Sequence, residues 1–166
     1  MYPAIDRYKL KLEPNPDKED IDMANVVFKA IAEEKEGLVT KVVSRDFEIT
    51  LDEPADLGGT DTGMNPVEAL LGSLAACESM VVRVFAKKHK INLKSIRVEV
   101  EGDLDLDGLF GINKEAKIGF SEIRSHFFIE ADNTKEEIER YIDFVERTCP
   151  VQDTLTNVAK ITHTIN

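Results

Sequence analysis

One segment constrains the fold more than any other: a long, strongly apolar stretch that is predicted to be a helix from Pro66 to about His89. Asn65 is a good N-cap, Pro66 fits the first helical position, and Glu68 suits the positive end of the helix dipole. Apolar side chains then occur almost all round this helix. We therefore expect it to be buried on several sides, in the centre of a core or of a dimer.

Strand and helix signals on both sides of this helix predict an α+β fold. Thr134 and Glu137 have the spacing of a capping box, which predicts a helix to about Arg147, and Pro150 begins a short helix. Ser44–Asp46 is a candidate hairpin turn. The predicted strands cover residues 7–12, 38–43, 47–51, 95–103, 118–131 and 158–165, and the predicted loops cover residues 57–63 and 103–111.

Residues 21–36 are ambiguous. Ile21, Ala24, Phe28 and Ile31 have helical spacing, whereas Phe28 and its neighbours at positions 30 and 32 would line one face of a strand. Both interpretations stay open. We expect residues 1–20 to be an N-terminal extension and residues 21–166 to be a single domain, because 166 residues suffice for one core.

Charge and cysteine content exclude several classes of protein. The chain carries 21 Lys and Arg against 32 Asp and Glu, a formal net charge of −11, which disfavours nucleic acid and anionic membrane surfaces as partners. Two cysteines are too few for a disulfide-stapled secreted scaffold. The first residues have no secretory pattern, so the expected location is the cytoplasm. The three histidines lack metal-ligand spacing, and we expect neither metal nor cofactor.

The two cysteines are the candidate chemical groups. Cys77 lies in line with apolar residues of the long helix, so it is either a small core side chain or a reactive thiol. Cys149 precedes Pro150 at a predicted helix N-terminus, where free N–H groups and the helix dipole are expected to lower the thiol pKa. A cap without chemical function is the alternative for Cys149.

Two motifs around these cysteines resemble the OsmC/Ohr family. The first runs from Asp52-Glu53-Pro54 through the glycine-containing loop 58–63 and the helix segment 65–77, which ends at Cys77. The second is Cys149-Pro150-Val151, near the C-terminus. The resemblance covers the chain from about Phe28 to its end. It implies an α+β fold built as an intertwined homodimer, with β-sheets wrapped around two long central helices.

The resemblance also implies an activity. Members of this family reduce organic hydroperoxides through a cysteine pair in oxidative-stress defence, and hydrogen peroxide is a second candidate substrate. Cys77 would be the peroxidatic thiol and Cys149 the resolving one, with a small thiol or dithiol as reductant. The family's activating arginine and its glutamate partner have no match in register, so Arg45 and Glu68 are the candidates for these roles. A non-catalytic domain that binds or senses small molecules, and a purely structural Cys77, are the alternatives.

Overall fold

The structure is a computed structural model that describes residues 26–157 and 159–165, and it has mixed α and β structure. The predicted strand at 7–12 and the extension at 1–20 lie outside the described residues. The chain divides into two compact units at Asn65 and Pro66, and the single-domain expectation stays a prediction. The elements are β1 (Ile31–Glu34), β2 (Thr40–Ser44), β3 (Phe47–Leu51), a 3-10 turn (Ala55–Leu57), α1 (Pro66–Phe85), β4 (Leu93–Asp103), α2 (Leu106–Leu109), β5 (Glu122–Ala131), α3 (Lys135–Thr148) and α4 (Pro150–Thr156).

The first unit is an antiparallel sheet of three strands in the order β1-β2-β3. A tight turn joins β2 to β3 where Ser44 pairs with Phe47, and Arg45 in that turn has a φ of 57°, so the predicted hairpin turn is present. The ambiguous stretch resolves as a strand where β1 forms, since Ile31 pairs with Val43 and Glu34 with Thr40.

A buried carboxylate organises the loop that follows β3. Asp52, only 2% exposed, accepts hydrogen bonds from the backbone N–H groups of Glu53, Thr60 and Thr62 and from both threonine hydroxyls. The hydroxyl bond from Thr60 is the largest of the effects that hold the pKa of Asp52 far below its usual range. Gly59 is required here, because a Cβ atom on it would lie 1.8 Å from the backbone oxygen of Glu53.

The second unit places α1, α3 and α4 with the antiparallel β4–β5 pair, around one core. Val82 and Val145 are fully buried in that core. Tyr141 of α3 reaches α1 directly, because its buried hydroxyl donates a 2.5 Å hydrogen bond to the backbone oxygen of Val82. The capping box of α3 at Thr134 and Glu137 is confirmed.

The C-terminal end of α1 is closed one turn after its last regular helical residue. Regular α-helix ends at Phe85, and the turn that follows ends at His89, near the predicted end of the helix. The backbone N–H of Ile91 then bonds to the oxygen of Ala86, and that of Lys90 bonds to the oxygen of Lys87. With Lys90 at a φ of 59°, this is the Schellman pattern that commonly closes helices.

Three other sequence predictions are corrected. The predicted loop 103–111 contains the short helix α2, which begins there because Asp105 caps the N–H groups of Asp107 and Gly108. The strand predicted from residue 118 begins at Glu122. Of the strand predicted at 158–165, position 158 lies outside the described residues, and residues 159–165 form no strand. Their apolar side chains Ile161 and Ile165 are more than 90% exposed, so burial does not support a strand there.

Replacement of Gly59 by alanine tests the loop packing. We expect Gly59→Ala to lower the free energy of unfolding by about 1–3 kcal/mol, the usual effect of an overpacked site, because the new Cβ collides with backbone rather than with a flexible side chain. Gly119→Ala is the control, since a Cβ atom at Gly119 meets nothing within 4 Å. Urea unfolding of both variants measures the difference, and equal stabilities would contradict the prediction.

Candidate functional site

Cys77 lies in the middle of α1, at the edge of the core. Its side chain is half-buried and packs against the core cluster, in which Leu74 and Val81 are buried on the same helix. The apolar residues that the sequence places in line with Cys77 include Leu70 and Val84, but the structure leaves these two side chains exposed. Within one chain, α1 is therefore buried along one face and open along the other, rather than covered on several sides.

Cys149 is the junction between two helices. It is the C-cap residue of α3 and the N-cap residue of α4, and its side chain is fully buried. Its N–H donates to the oxygen of Val145, and its own oxygen accepts from the N–H of Asp153. The predicted helix start at Pro150 is confirmed. Both helix ends therefore fix the position of this thiol.

The structure brings the two thiols together. Both cysteines are free, and Cys77 packs against the core cluster that contains Cys149. Burial, reinforced by the nearby Cys77 thiol, raises the pKa of the Cys149 thiol to about 11, although the N–H groups of Gln152 and Val151 lower it. The predicted lowering of this pKa by the helix N-terminus is therefore wrong, because desolvation outweighs the helix amides.

A buried carboxyl group follows Cys77 directly. Glu78 is 1% exposed, its Oε1 accepts a 3.0 Å hydrogen bond from the Ser125 hydroxyl of β5, and its Oε2 is buried without a hydrogen-bond partner among the described residues. Burial, together with the negative charge of Glu146, raises the pKa of Glu78 despite the bond from Ser125. The fold therefore shifts this carboxyl towards its neutral form.

The sequence contained a signal for Glu78 that our prediction did not use. Leu74, Glu78 and Val82 are spaced four residues apart, so the glutamate occupies the apolar face of α1. A charged residue in a buried stripe is unusual, because its ionised form loses hydration. Glu78 was not among the residues predicted for the site.

Arg45 lies in a turn of the first unit, and Glu68 and Arg83 lie in the first and last turns of α1. Arg45 belongs to the first unit, at the β2–β3 turn, where its guanidinium lies 4.9 Å from the centre of the Phe47 ring. Glu68 is in the first turn of α1, and the exposed Arg83 is in its last turn. His89 is part of a ring cluster, 4.0 Å from the Phe144 centroid, rather than a metal ligand candidate. The roles expected for Arg45 and Glu68 stay predictions.

The part of the chain that the structure describes lacks two further features. Within 26–157 and 159–165, His, Cys, Asp and Glu side chains form no group of three or more that is suited to a metal ion. In the same part of the chain, none of the helices is both long and apolar enough to cross a membrane.

Fold and geometry together describe a small α+β protein with two cysteines at one core, one on a long helix and one at a helix junction. Comparison with known proteins identifies its family. The sequence profile described as OsmC-like protein matches residues 59–164. The chain belongs to the OsmC-like protein family.

Two curated relatives and one solved structure agree with this assignment. The chain is 34% identical over 127 residues to a hydroperoxide reductase of Mycoplasma pneumoniae, and this match covers 75% of this chain and 83% of the relative. It is 35% identical over 117 residues to a hydroperoxide reductase of Mycoplasma genitalium, and this match covers 68% of this chain and 75% of the relative. The crystal structure of an OsmC-like protein from Mycoplasma pneumoniae matches with a TM-score of 0.71 and 29% identity, over 81% of this chain and 91% of that one.

The buried carboxyl makes stability depend on pH. Because its pKa is higher in the folded than in the unfolded protein, the free energy of unfolding falls as pH rises from the unfolded value of ~4.3 to the folded value. A glutamine side chain cannot ionise. We therefore expect the free energy of unfolding of Glu78→Gln to rise, relative to that of the wild type, by ~1.4 kcal/mol for each pH unit between these two values. Urea unfolding at about pH 5 and about pH 8 measures this gain.

Glu139→Gln is the control for this experiment, because Glu139 is an exposed residue of α3. Its difference from the wild type should change little with pH. If the stability difference between Glu78→Gln and the wild type were the same at both pH values, the raised pKa of Glu78 would be refuted.

Proposed function

We propose that this protein is a thiol-dependent peroxidase that reduces organic hydroperoxides and acts in oxidative-stress defence. Cys77 is the peroxidatic residue and Cys149 the resolving one. The observation that carries the proposal is that a half-buried and a fully buried free thiol share one core, close enough that Cys77 raises the pKa of Cys149. Two curated relatives named hydroperoxide reductase support the choice of substrate class.

The different environments of the two thiols support this division of roles. A peroxide must reach the thiol that it oxidises, and Cys77 is the more exposed of the two. Cys149 is fully buried, and with a pKa raised to about 11 it is a neutral thiol near pH 7. Since the thiolate is the nucleophile, Cys149 is unsuited to attack a peroxide first.

The proposed reaction has two chemical steps. The Cys77 thiolate attacks the distal peroxide oxygen, so an S–O bond forms and the O–O bond breaks. The alkoxide that leaves takes up a proton and departs as an alcohol, while Cys77 becomes a sulfenic acid. The Cys149 sulfur then attacks the Cys77 sulfur, an S–S bond forms, and the oxygen leaves as water. A small thiol or dithiol reduces the disulfide and is itself oxidised.

Substitution of each cysteine tests the roles. With dithiothreitol as reductant, we expect Cys77→Ser to consume cumene hydroperoxide at least roughly a hundredfold more slowly than the wild type, because the nucleophile is lost. Without reductant, Cys149→Ser should still convert one equivalent of peroxide and gain one oxygen atom on Cys77. Product analysis and intact-protein mass measure both results.

Each variant is the other's control, since both replace one sulfur by oxygen. The peroxidase proposal fails if the wild type consumes peroxide no faster than Cys77→Ser. Thermal stabilisation by a ligand retained through purification, without thiol oxidation, would instead favour the non-catalytic binding domain.

We further propose that the protein is a homodimer in which α1 packs against its counterpart. The open face of α1 supports this, because it combines small residues with apolar side chains that one chain leaves exposed. The exposed residues of this face are Gly72, Ser73, Ala76, Met80 and Val84.

Light scattering tests the dimer. At micromolar concentration we expect a mass of twice 18.6 kDa. Ala76→Arg should shift the mass to that of one chain, because it places a charge in the middle of the proposed interface. Glu115→Arg, at an exposed loop position, is the control and should stay dimeric. A wild-type mass of one chain would refute the dimer.

A further inference from the structure

An open groove lies at the C-terminal end of α1 and has a volume of about 470 Å³, which is large enough for a small ligand. Three exposed cations line it, Arg83, Lys87 and Lys90. Neither cysteine and no acid is among the described residues that line this basic groove. The whole chain carries 21 Lys and Arg against 32 Asp and Glu, so the groove departs from the overall balance of charge.

The cations of the basic groove have no acidic partner within residues 26–157 and 159–165, since none of the ion pairs formed there includes one of them. One carboxylate approaches the groove, because Asp132 accepts a 2.8 Å hydrogen bond from the side-chain amide of Asn92, which lines it. Asp132 is also paired with Lys94 of β4, so its charge is compensated. A negative group in the groove would therefore meet positive charges that lack a counter-ion.

Capping of the helix does not account for these three charges. Lysine and arginine side chains near a helix C-terminus often donate hydrogen bonds to its last carbonyl oxygens. Here backbone groups do so instead, since the oxygens of Ala86 and Lys87 accept from the N–H groups of Ile91 and Lys90. The helix dipole favours a cation at this end, but it does not require three of them around one groove.

Lys90 occupies a backbone position that favours glycine. Its φ of 59° lies in the left-handed region, at the residue that closes the helix. Glycine is the usual residue at such a position, because any Cβ atom there is strained. Residues that accept this strain are concentrated at functional sites and ligand clamps. A lysine here is therefore better explained by its charge than by the fold.

The groove also has an apolar part. Ala86 and Ile91, each only 6% exposed, belong to the core, and the half-buried Leu93 packs against it. All three line the groove beside the cations. A ligand that fits both parts has a negative group and an aliphatic body, because the cations attract the first and the edge of the core removes the second from water.

We propose that the basic groove binds a small amphiphilic anion. Its negative group lies among Arg83, Lys87 and Lys90, and its aliphatic body covers the apolar residues. The inference goes beyond the proposed peroxidase function and does not depend on it, since the thiols do not line the groove.

Octanoate is the probe for this site, and amide chemical shifts of the isotope-labelled protein measure where and how tightly it binds. We expect saturable shifts at residues 90–93. Affinity should fall as salt is added, because the cations are exposed to screening. Butanoate should bind more weakly than octanoate, because it buries fewer methylene groups. 1-Octanol, which has the same chain without the charge, should also bind more weakly.

Variants of the cations locate the site. We expect Arg83→Gln and Lys87→Gln each to weaken octanoate binding roughly two- to fivefold, the effect of losing one exposed ion pair. Lys90→Gly should weaken it similarly without lowering the urea midpoint of unfolding, because glycine relieves the backbone strain. Lys114→Gln is the control: it removes the same charge from an exposed loop position and should leave the affinity unchanged.

The inference is overturned if millimolar octanoate leaves the amide shifts of residues 90–93 unchanged, or if 1-octanol binds as tightly as octanoate. Equal affinities of Lys114→Gln and the groove variants would also overturn it, because net charge alone would then explain binding. Vesicles of phosphatidylglycerol distinguish a lipid surface from a free ligand. Binding to these vesicles without binding to octanoate would contradict a site for a small anion.

Discussion

The packing of α3 against α1 is the interaction on which the two-thiol site depends. Val82 and Val145 are fully buried between these elements, and the Tyr141 hydroxyl bonds to the Val82 backbone. Because Cys149 ends α3, this packing fixes where its sulfur lies relative to Cys77 on α1. A hydrogen bond that by itself contributes only ~1 kcal/mol therefore also sets the geometry of two groups 72 positions apart in the sequence (149 − 77).

The same burial that creates the site determines how its groups ionise. Cys149 illustrates this, since two helix amides favour its thiolate and yet desolvation raises its pKa. The pKa of Glu78 is raised for the same reason, because burial outweighs the hydrogen bond from Ser125. Loss of hydration thus dominates local hydrogen bonding at both residues, and the fold favours the neutral form of each more than water does.

Local sequence signals predicted those parts of the fold that local interactions determine. The start of α1 at Pro66, the capping box at Thr134 and the alternation in β4 each depend on neighbouring residues, and all three are present. Burial depends on residues distant in sequence, so the pKa of Cys149 was predicted in the wrong direction. The strand expected at 158–165 failed for the same reason, since apolar residues there find no partner strand in the described part of the chain.

Cys149 has a mechanical consequence that follows from its place between α3 and α4. One residue, with extended backbone angles (φ −74°, ψ 113°), ends one helix and begins the next. The chain therefore changes direction at Cys149, and its sulfur lies at this bend. The proposed disulfide would join this bend covalently to α1, so oxidation of the two thiols would also restrict the orientation of α4.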